Sequence, residues 1–202
     1  MIEAEAAGAL GSSSFSIALS GGHTPWKMLA ELPADTLGEP GTTILQVDER
    51  VAPEGDPDRN LTHLQESLSE PALERVLPMP VNDDDLEAAA ARYAGALPDS
   101  IDLVHLGLGP DGHTASLVPG DPVLEVSDRA VAITGGDYQG HPRMTLTYPT
   151  LRAAKKLLFL ITGADKVDAL AKLRAGDDSI PAGPLASQNG VIIADTAAAG
   201  ET

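Results

Sequence analysis

The chain has no cysteine in its 202 residues, which excludes disulfides, thiolate nucleophiles and cysteine-ligated metals. Aromatic residues make up only 3%, so the core must be built from Ala, Val, Leu and Ile. The longest uninterrupted apolar run, Leu157 to Ile161, is far too short to cross a bilayer. The N-terminus lacks the basic flank and apolar centre of a secretory signal. Positive charge is scarce as well: 13 Lys and Arg face 30 Asp and Glu, a formal charge of −17. Such a surface repels phosphate backbones and anionic membranes, so neither a nucleic acid nor a membrane is an expected partner. The acidity taken alone reads as solubility or adaptation to a salty cytoplasm. One consequence concerns ligands: the few cations must be concentrated wherever an anion binds. The expectation is a single cytoplasmic domain over residues 1–202, a monomer or small homo-oligomer.

Short apolar runs alternate with longer helical patterns, which predicts a mostly parallel, Rossmann-like α/β sheet flanked by helices. Strands are expected at Phe15–Leu19, Thr43–Val47, Asp102–Leu108, Val131–Thr134, Met144–Thr147, Leu157–Thr162 and Val191–Ala194. Helices are expected at Pro25–Glu31, Leu61–Leu68, Leu86–Leu97 and Asp165–Arg174. Asp83, Asp84 and Asp85 suit the N-terminus of the third, and Pro25 suits a first helical turn. Met1 to Ser14, Ala/Glu-rich and then Gly/Ser-rich, reads as a helix running into a tight turn.

In open α/β sheets the ligand gathers at the carboxyl ends of the strands. The first strand exits into Ser20-Gly21-Gly22-His23-Thr24-Pro25. Small residues there let backbone N–H groups approach an anion, and the helix start adds its dipole. The second strand exits into Asp48-Glu49-Arg50; a lone triplet of this kind also reads as a solvated turn. The third exits into Gly107-Leu-Gly109-Pro-Asp111-Gly112-His113-Thr114. Its glycines spell G-x-G-x-x-G, but Pro110 removes a backbone donor and Asp111 would set a carboxylate against a pyrophosphate, so a dinucleotide is rejected. What remains is a tight turn presenting Asp111 and His113 together. A histidine suits proton transfer and a neighbouring carboxylate orients it; the plain alternative is a turn histidine bonded to the backbone. Arg143 and Lys166 are candidate phosphate clamps, and Lys166 also reads as a surface cation at a helix start. His105, inside an apolar strand, reads as a satisfied core histidine. His23, His63 and His141 lack metal-ligand spacing; no metal and no cofactor is expected.

These segments resemble the 6-phosphogluconolactonase family, within the larger group that includes glucosamine-6-phosphate deaminases. The matching pieces are Ala18-Leu-Ser-Gly-Gly-His-Thr-Pro25, Asp48-Glu-Arg50 followed by Asn60, and Leu106-Gly-Leu-Gly-Pro-Asp-Gly-His-Thr-Ala-Ser-Leu117. Arg143-Met-Thr-Leu-Thr and Leu158-Phe-Leu-Ile-Thr-Gly-Ala-Asp-Lys166 complete the set. Order and spacing hold from about Ser16 to Asp195; the third piece is the most specific. Two departures stand out: a short segment before the Ser-Gly-Gly loop, and His23 where the family often has a small residue. The resemblance implies hydrolysis of 6-phosphoglucono-δ-lactone, a small sugar-phosphate lactone. It implies His113 as general base and then acid, Asp111 orienting it, and Arg50 and Arg143 with Lys166 holding phosphate or developing charge. Ser20, Gly21, Gly22 and Thr24 would form the anion loop beside Asp48. The alternatives are a deaminase-like isomerase and a non-catalytic sugar-phosphate module. Thr114-Ala-Ser-Leu-Val-Pro119 lacks the Asn-Glu-Pro continuation expected of deaminases, and no basic recognition helix accompanies the domain.

Overall fold

A computed structural model describes residues 1–10, 14–33, 35–186 and 189–201. Among these the principal sheet is parallel, with β4 (Val76–Leu77), β2 (Thr42–Gln46), β1 (Phe15–Leu19), β5 (Leu103–Leu106), β8 (Leu157–Ile161) and β9 (Gly190–Ala194) side by side in that order. Every residue of β1 and β5 is buried, because helices cover both faces of a parallel sheet. Alternate side chains divide between those faces. Phe15, Ile17, Leu19, Ile44, Leu103 and Leu158 pack with Ile2 and Ala6 of α1 (Ile2–Leu10), Leu29 of α2 (His23–Ala30) and Leu64 of α3 (Asn60–Ser67). Ala18, Leu45, Val104, Leu106 and Phe159 pack on the other side with Ala89 and Tyr93 of α5 (Leu86–Ala96) and Leu170 and Leu173 of α7 (Val167–Ala175). As expected, Asp85 caps α5, its carboxylate accepting from the Ala88 amide at 3.0 Å.

The chain order reverses between β1 and β5, so the loops leaving those two strands diverge and open a crevice at their carboxyl ends. A second, antiparallel sheet closes over it: β3 (Asp48–Arg50), β7 (Arg143–Leu146) and β6 (Val131–Ile133), in that order. The apolar periodicity locates the strands near Val131 and Met144 but not their separate sheet. Asp48–Arg50 is a strand in its own right rather than the exit of the preceding one, with Asp48 opposite Thr145, Glu49 opposite Met144 and Arg50 opposite Arg143. Short helices over Glu70–Leu73, Tyr148–Ala153 and Thr196–Ala199 escaped the sequence reading. The helix expected from Asp165 begins at Val167, after a single 3-10 turn over Ala164–Lys166. The N-terminal helix forms, while Gly11 to Ser13 lie outside the described residues. Among the described residues no helix is long and apolar enough to cross a membrane.

His105 corrects one expectation. It is buried, at 0% exposure, yet neither ring nitrogen has a hydrogen-bond partner among the described residues. The strand faces apolar neighbours, so burial alone pushes its pKa down to about 4.

Candidate active site

A cleft of about 280 Å³ lies at the carboxyl ends of β1 and β5. Ser20, Gly21, Gly22, Thr24, Asp48, Arg50, His113, Arg143 and Lys166 all line it, and Asp111 sits directly behind His113. A larger hollow, about 620 Å³, lies at the opposite ends of the strands beside Ser16, Asp102 and Lys155. Its charged groups already neutralise one another: Lys155 reaches Asp102 at 2.6 Å, and Lys156 pairs with Glu5.

His113 and Asp111 are held by the turn after β5. The Gly109 amide donates to the His113 carbonyl at 2.9 Å and the Gly112 amide to the Gly109 carbonyl at 3.0 Å. This folds the loop so tightly that a Cβ on Gly109 would lie 2.0 Å from His113 Nδ1 and 2.5 Å from Asp111 Oδ1. Asp111 Oδ1 lies 2.6 Å from Nδ1 and also accepts the His113 amide at 3.2 Å. An ionised carboxylate only accepts, so Nδ1 carries the proton and Nε2 keeps its lone pair. Burial alone would raise the Asp111 carboxyl, but the hydrogen bond and charge of His113, with a smaller contribution from Tyr138, bring it below the usual carboxylate range.

The cationic side of the cleft is built from the second sheet and the loop after β1. Arg50 and Arg143 are direct cross-strand partners, and like charges so placed repel. Arg143 is 3% exposed. Its guanidinium donates to the Tyr138 carbonyl at 3.0 Å and to Gln139 Oε1 at 3.2 Å, and stands 3.8 Å from Asp48 Oδ2. Burial pulls its pKa below the ordinary value, Asp48 opposes that, and Arg50 adds to it. Arg50 Nη1 donates to the Asp58 carbonyl, while its buried Nε has no partner among the described residues. Lys166 is less free than expected, because its ammonium pairs with Asp165 at 2.9 Å. Gly22, with φ 121°, begins α2 without a side-chain cap, and uncapped first amides are in general a place where anions bind. Thr24 and Thr162 share a hydroxyl hydrogen bond of 2.7 Å across the cleft floor.

Behind these cations runs a network that the sequence does not reveal. Asp48 Oδ2 accepts from Ser116 at 2.6 Å, and Asn60 Nδ2 reaches Asp48 Oδ1 at 3.3 Å and its carbonyl at 3.0 Å. Glu49 is fully buried, at 0% exposure. It accepts from Gln46 (2.9 Å) and from the amides of Arg50 (2.7 Å), Asn60 (2.8 Å) and Leu61 (2.8 Å), with Arg59 at 3.3 Å. It thereby ties β3 to the start of α3. Tyr138 and Gln139 were also missed. The only hint was Gln139-Gly140, a pair suited to a tight hairpin turn.

A family model described as glucosamine-6-phosphate isomerases/6-phosphogluconolactonase matches residues 1–194. The chain belongs to that family. It is 36% identical over 200 residues to a 6-phosphogluconolactonase of Streptomyces coelicolor, covering 88% of this chain and 76% of that protein. The crystal structure of the Thermotoga maritima 6-phosphogluconolactonase superposes with a TM-score of 0.81 at 25% identity, covering 96% of this chain and 90% of that one. A monomeric glucosamine-6-phosphate deaminase superposes about as well, with a TM-score of 0.80 at 22% identity over 100% of this chain and 95% of that one. The fold alone therefore does not choose between the two chemistries of the family; the side chains must.

Proposed function

We propose that the chain hydrolyses 6-phosphoglucono-δ-lactone to 6-phosphogluconate, a step of the oxidative pentose phosphate pathway. The observation that carries this reading is the Asp111–His113 pair, 2.6 Å apart, in a cleft shared with Arg50, Arg143 and Lys166. A lactone carbonyl is already electrophilic, so water needs a base and the ring oxygen an acid. His113 Nε2 takes a proton from water as the water oxygen bonds to the lactone carbon. The tetrahedral oxyanion collapses, the bond from carbon to ring oxygen breaks, and the imidazolium returns its proton to that oxygen. Asp111 stays ionised throughout and stabilises the imidazolium. Arg50, Arg143 and Lys166, with the Ser20–Thr24 loop, bind the phosphate and the developing oxyanion, and Asp48 holds Arg143 in register. Nothing in this sequence of steps requires a metal or cofactor. In this reading residues 1–202 work as one unit in the cytoplasm.

Among the residues lining the cleft, Asp48 is the sole carboxylate, and it is committed to Ser116, Asn60 and Arg143. That leaves no uncommitted carboxyl group in the cleft to assist the ring opening of an amino sugar. The test is direct. Purified protein is given freshly generated lactone, with spontaneous hydrolysis subtracted, and separately glucosamine 6-phosphate. Lactone turnover without ammonia release is expected; ammonia release without lactone turnover would overturn the assignment.

A further inference from the structure

We infer that Tyr138 is a positioning residue for the His113 base: its hydroxyl, bonded to Asp111 and facing Nδ1, helps Asp111 to keep the proton of the pair on Nδ1 and the ring in place. The inference rests on the proposed role of His113. Tyr138 belongs to the hairpin between β6 and β7, where Gln139 (φ 54°) and Gly140 (φ 89°) both have positive φ. Two such residues make the tight turn whose twist suits paired strands, and the Tyr138 amide donates to the His141 carbonyl at 3.0 Å. The turn swings the phenol over the loop after β5. There the hydroxyl lies 3.1 Å from Asp111 Oδ2 and 3.3 Å from His113 Nδ1. The two rings meet edge to face with centroids 5.2 Å apart.

The proton assignments follow from counting. A carboxylate only accepts, so the single phenol proton goes to Asp111 Oδ2. The phenol oxygen then presents a lone pair toward Nδ1, as Asp111 Oδ1 already does. Two acceptors around one ring nitrogen require that nitrogen to carry the proton. The donated hydrogen bond also ties the Asp111 carboxylate to the hairpin. The phenol is in turn fixed by a cation of the anion side: Arg143 donates to the Tyr138 carbonyl at 3.0 Å, and its guanidinium carbon lies 5.0 Å from the ring centroid. Tyr138 thus joins the group that would grip substrate to the group that would move its proton. Burial first, then the Asp111 charge, raises the phenol pKa, so the phenol remains a donor.

The charged groups acting here are Asp111 and His113 on their loop and Arg143 on β7, with Asp48, Arg50 and Glu49 behind Arg143. Tyr138→Phe leaves them all in place and keeps the ring, so any change in rate or ring spectrum isolates the hydroxyl. In the variant one of the two acceptors around Nδ1 is gone, so kcat should fall several-fold with KM within about twofold. Nitrogen-15 spectra of the His113 ring in the free protein read the same proton without turnover: one Nδ1–H species in the parent, a tautomer mixture in the variant. His113→Asn separates the two levels. If it keeps lactonase activity, the base assignment itself fails. If it is inactive while Tyr138→Phe leaves kcat and the ring spectra unchanged, or alters KM alone, the base stands and the role of Tyr138 is overturned.

Discussion

Gly109→Ala separates positioning of the base from stability of the fold. Gly109 is not among the residues with positive φ, so no left-handed backbone opposes alanine there. The obstacle is side-chain space, because the new methyl would stand 2.0 Å from His113 Nδ1, 2.2 Å from Cε1 and 2.5 Å from Asp111 Oδ1. Ordinary contact needs about 3.5 Å, so the imidazole must retreat by about 1.5 Å. That breaks its bond to Asp111 and carries Nε2 off the line of attack; a displacement near 1 Å costs about 10²-fold. The stability terms oppose one another. Losing a half-exposed pair costs roughly 0.2–1 kcal/mol, while alanine for glycine returns about 0.4–1 kcal/mol by restricting the unfolded chain. The expected variant melts near the parent temperature, binds the product 6-phosphogluconate as a competitive inhibitor within about threefold, and loses about 100-fold or more in kcat. Proton release at constant pH, corrected for the uncatalysed rate, measures kcat; thermal denaturation and product inhibition measure the rest. A kcat within threefold of the parent would show that the pair does not depend on this close approach, and the base assignment would lose its geometric support.

Arg143→Ala should raise KM for the phosphorylated lactone by roughly tenfold or more, with weaker calorimetric binding of inorganic phosphate; unchanged phosphate binding would remove Arg143 from the anion site. Glu49→Gln should destabilise by about 3–5 kcal/mol, since it turns a donor toward the amides of Arg50, Asn60 and Leu61 and leaves Arg59 buried without its anion; chemical denaturation decides this, and a loss under about 1 kcal/mol would refute it. His105→Leu should leave stability at pH 7 equal or higher, because the imidazole nitrogens are buried without partners among the described residues. With the folded pKa pushed down to about 4, the unfolded chain alone takes up this proton between about pH 6.5 and pH 4. The parent therefore loses up to about 3 kcal/mol across that window as pH falls, and the variant should not. Urea melts at pH 7.5 and pH 4.5 test this, and an equal loss in both proteins would refute it.

The parallel sheet was legible because strands buried on both faces leave continuous apolar runs; Phe15–Leu19 was located to the residue. The loops at its carboxyl ends were legible for a different reason. Gly-Gly before a helix and Asp-Gly-His in a turn are chemically loaded where a connection needs only to be small and polar. The second sheet was hidden, because Asp48–Arg50 is three residues long and shows no period. Its charges read as a solvated turn, although Glu49 is buried under the amides that begin α3. Tyr138 lies 25 residues beyond His113 in the chain and reaches it only through the hairpin, a relation that local composition does not encode. For His105 the pattern gave burial, while its lack of partners depends on which helices cover that face.

The cleft also resolves the tension between a net charge of −17 and an anionic ligand. Acidic groups across the surface act at a distance, where a screening length of about 8 Å at physiological salt blunts them. At contact the balance reverses. Arg50 and Arg143 face each other across two strands, and the nearest carboxylate, Asp48, stands 3.8 Å from Arg143 with both oxygens already engaged by Ser116 and Asn60. Lys166 is partly neutralised by Asp165, so the guanidiniums carry the excess. Such a pair carries mutual repulsion and, among the described residues, a buried donor without a partner, the Arg50 Nε. In the proposed function a phosphate or oxyanion answers both at once, because planar donors meet its oxygens through charge-assisted hydrogen bonds. The repulsion between the guanidiniums and the proposed affinity for an anion thus have the same origin, the register that sets Arg50 opposite Arg143.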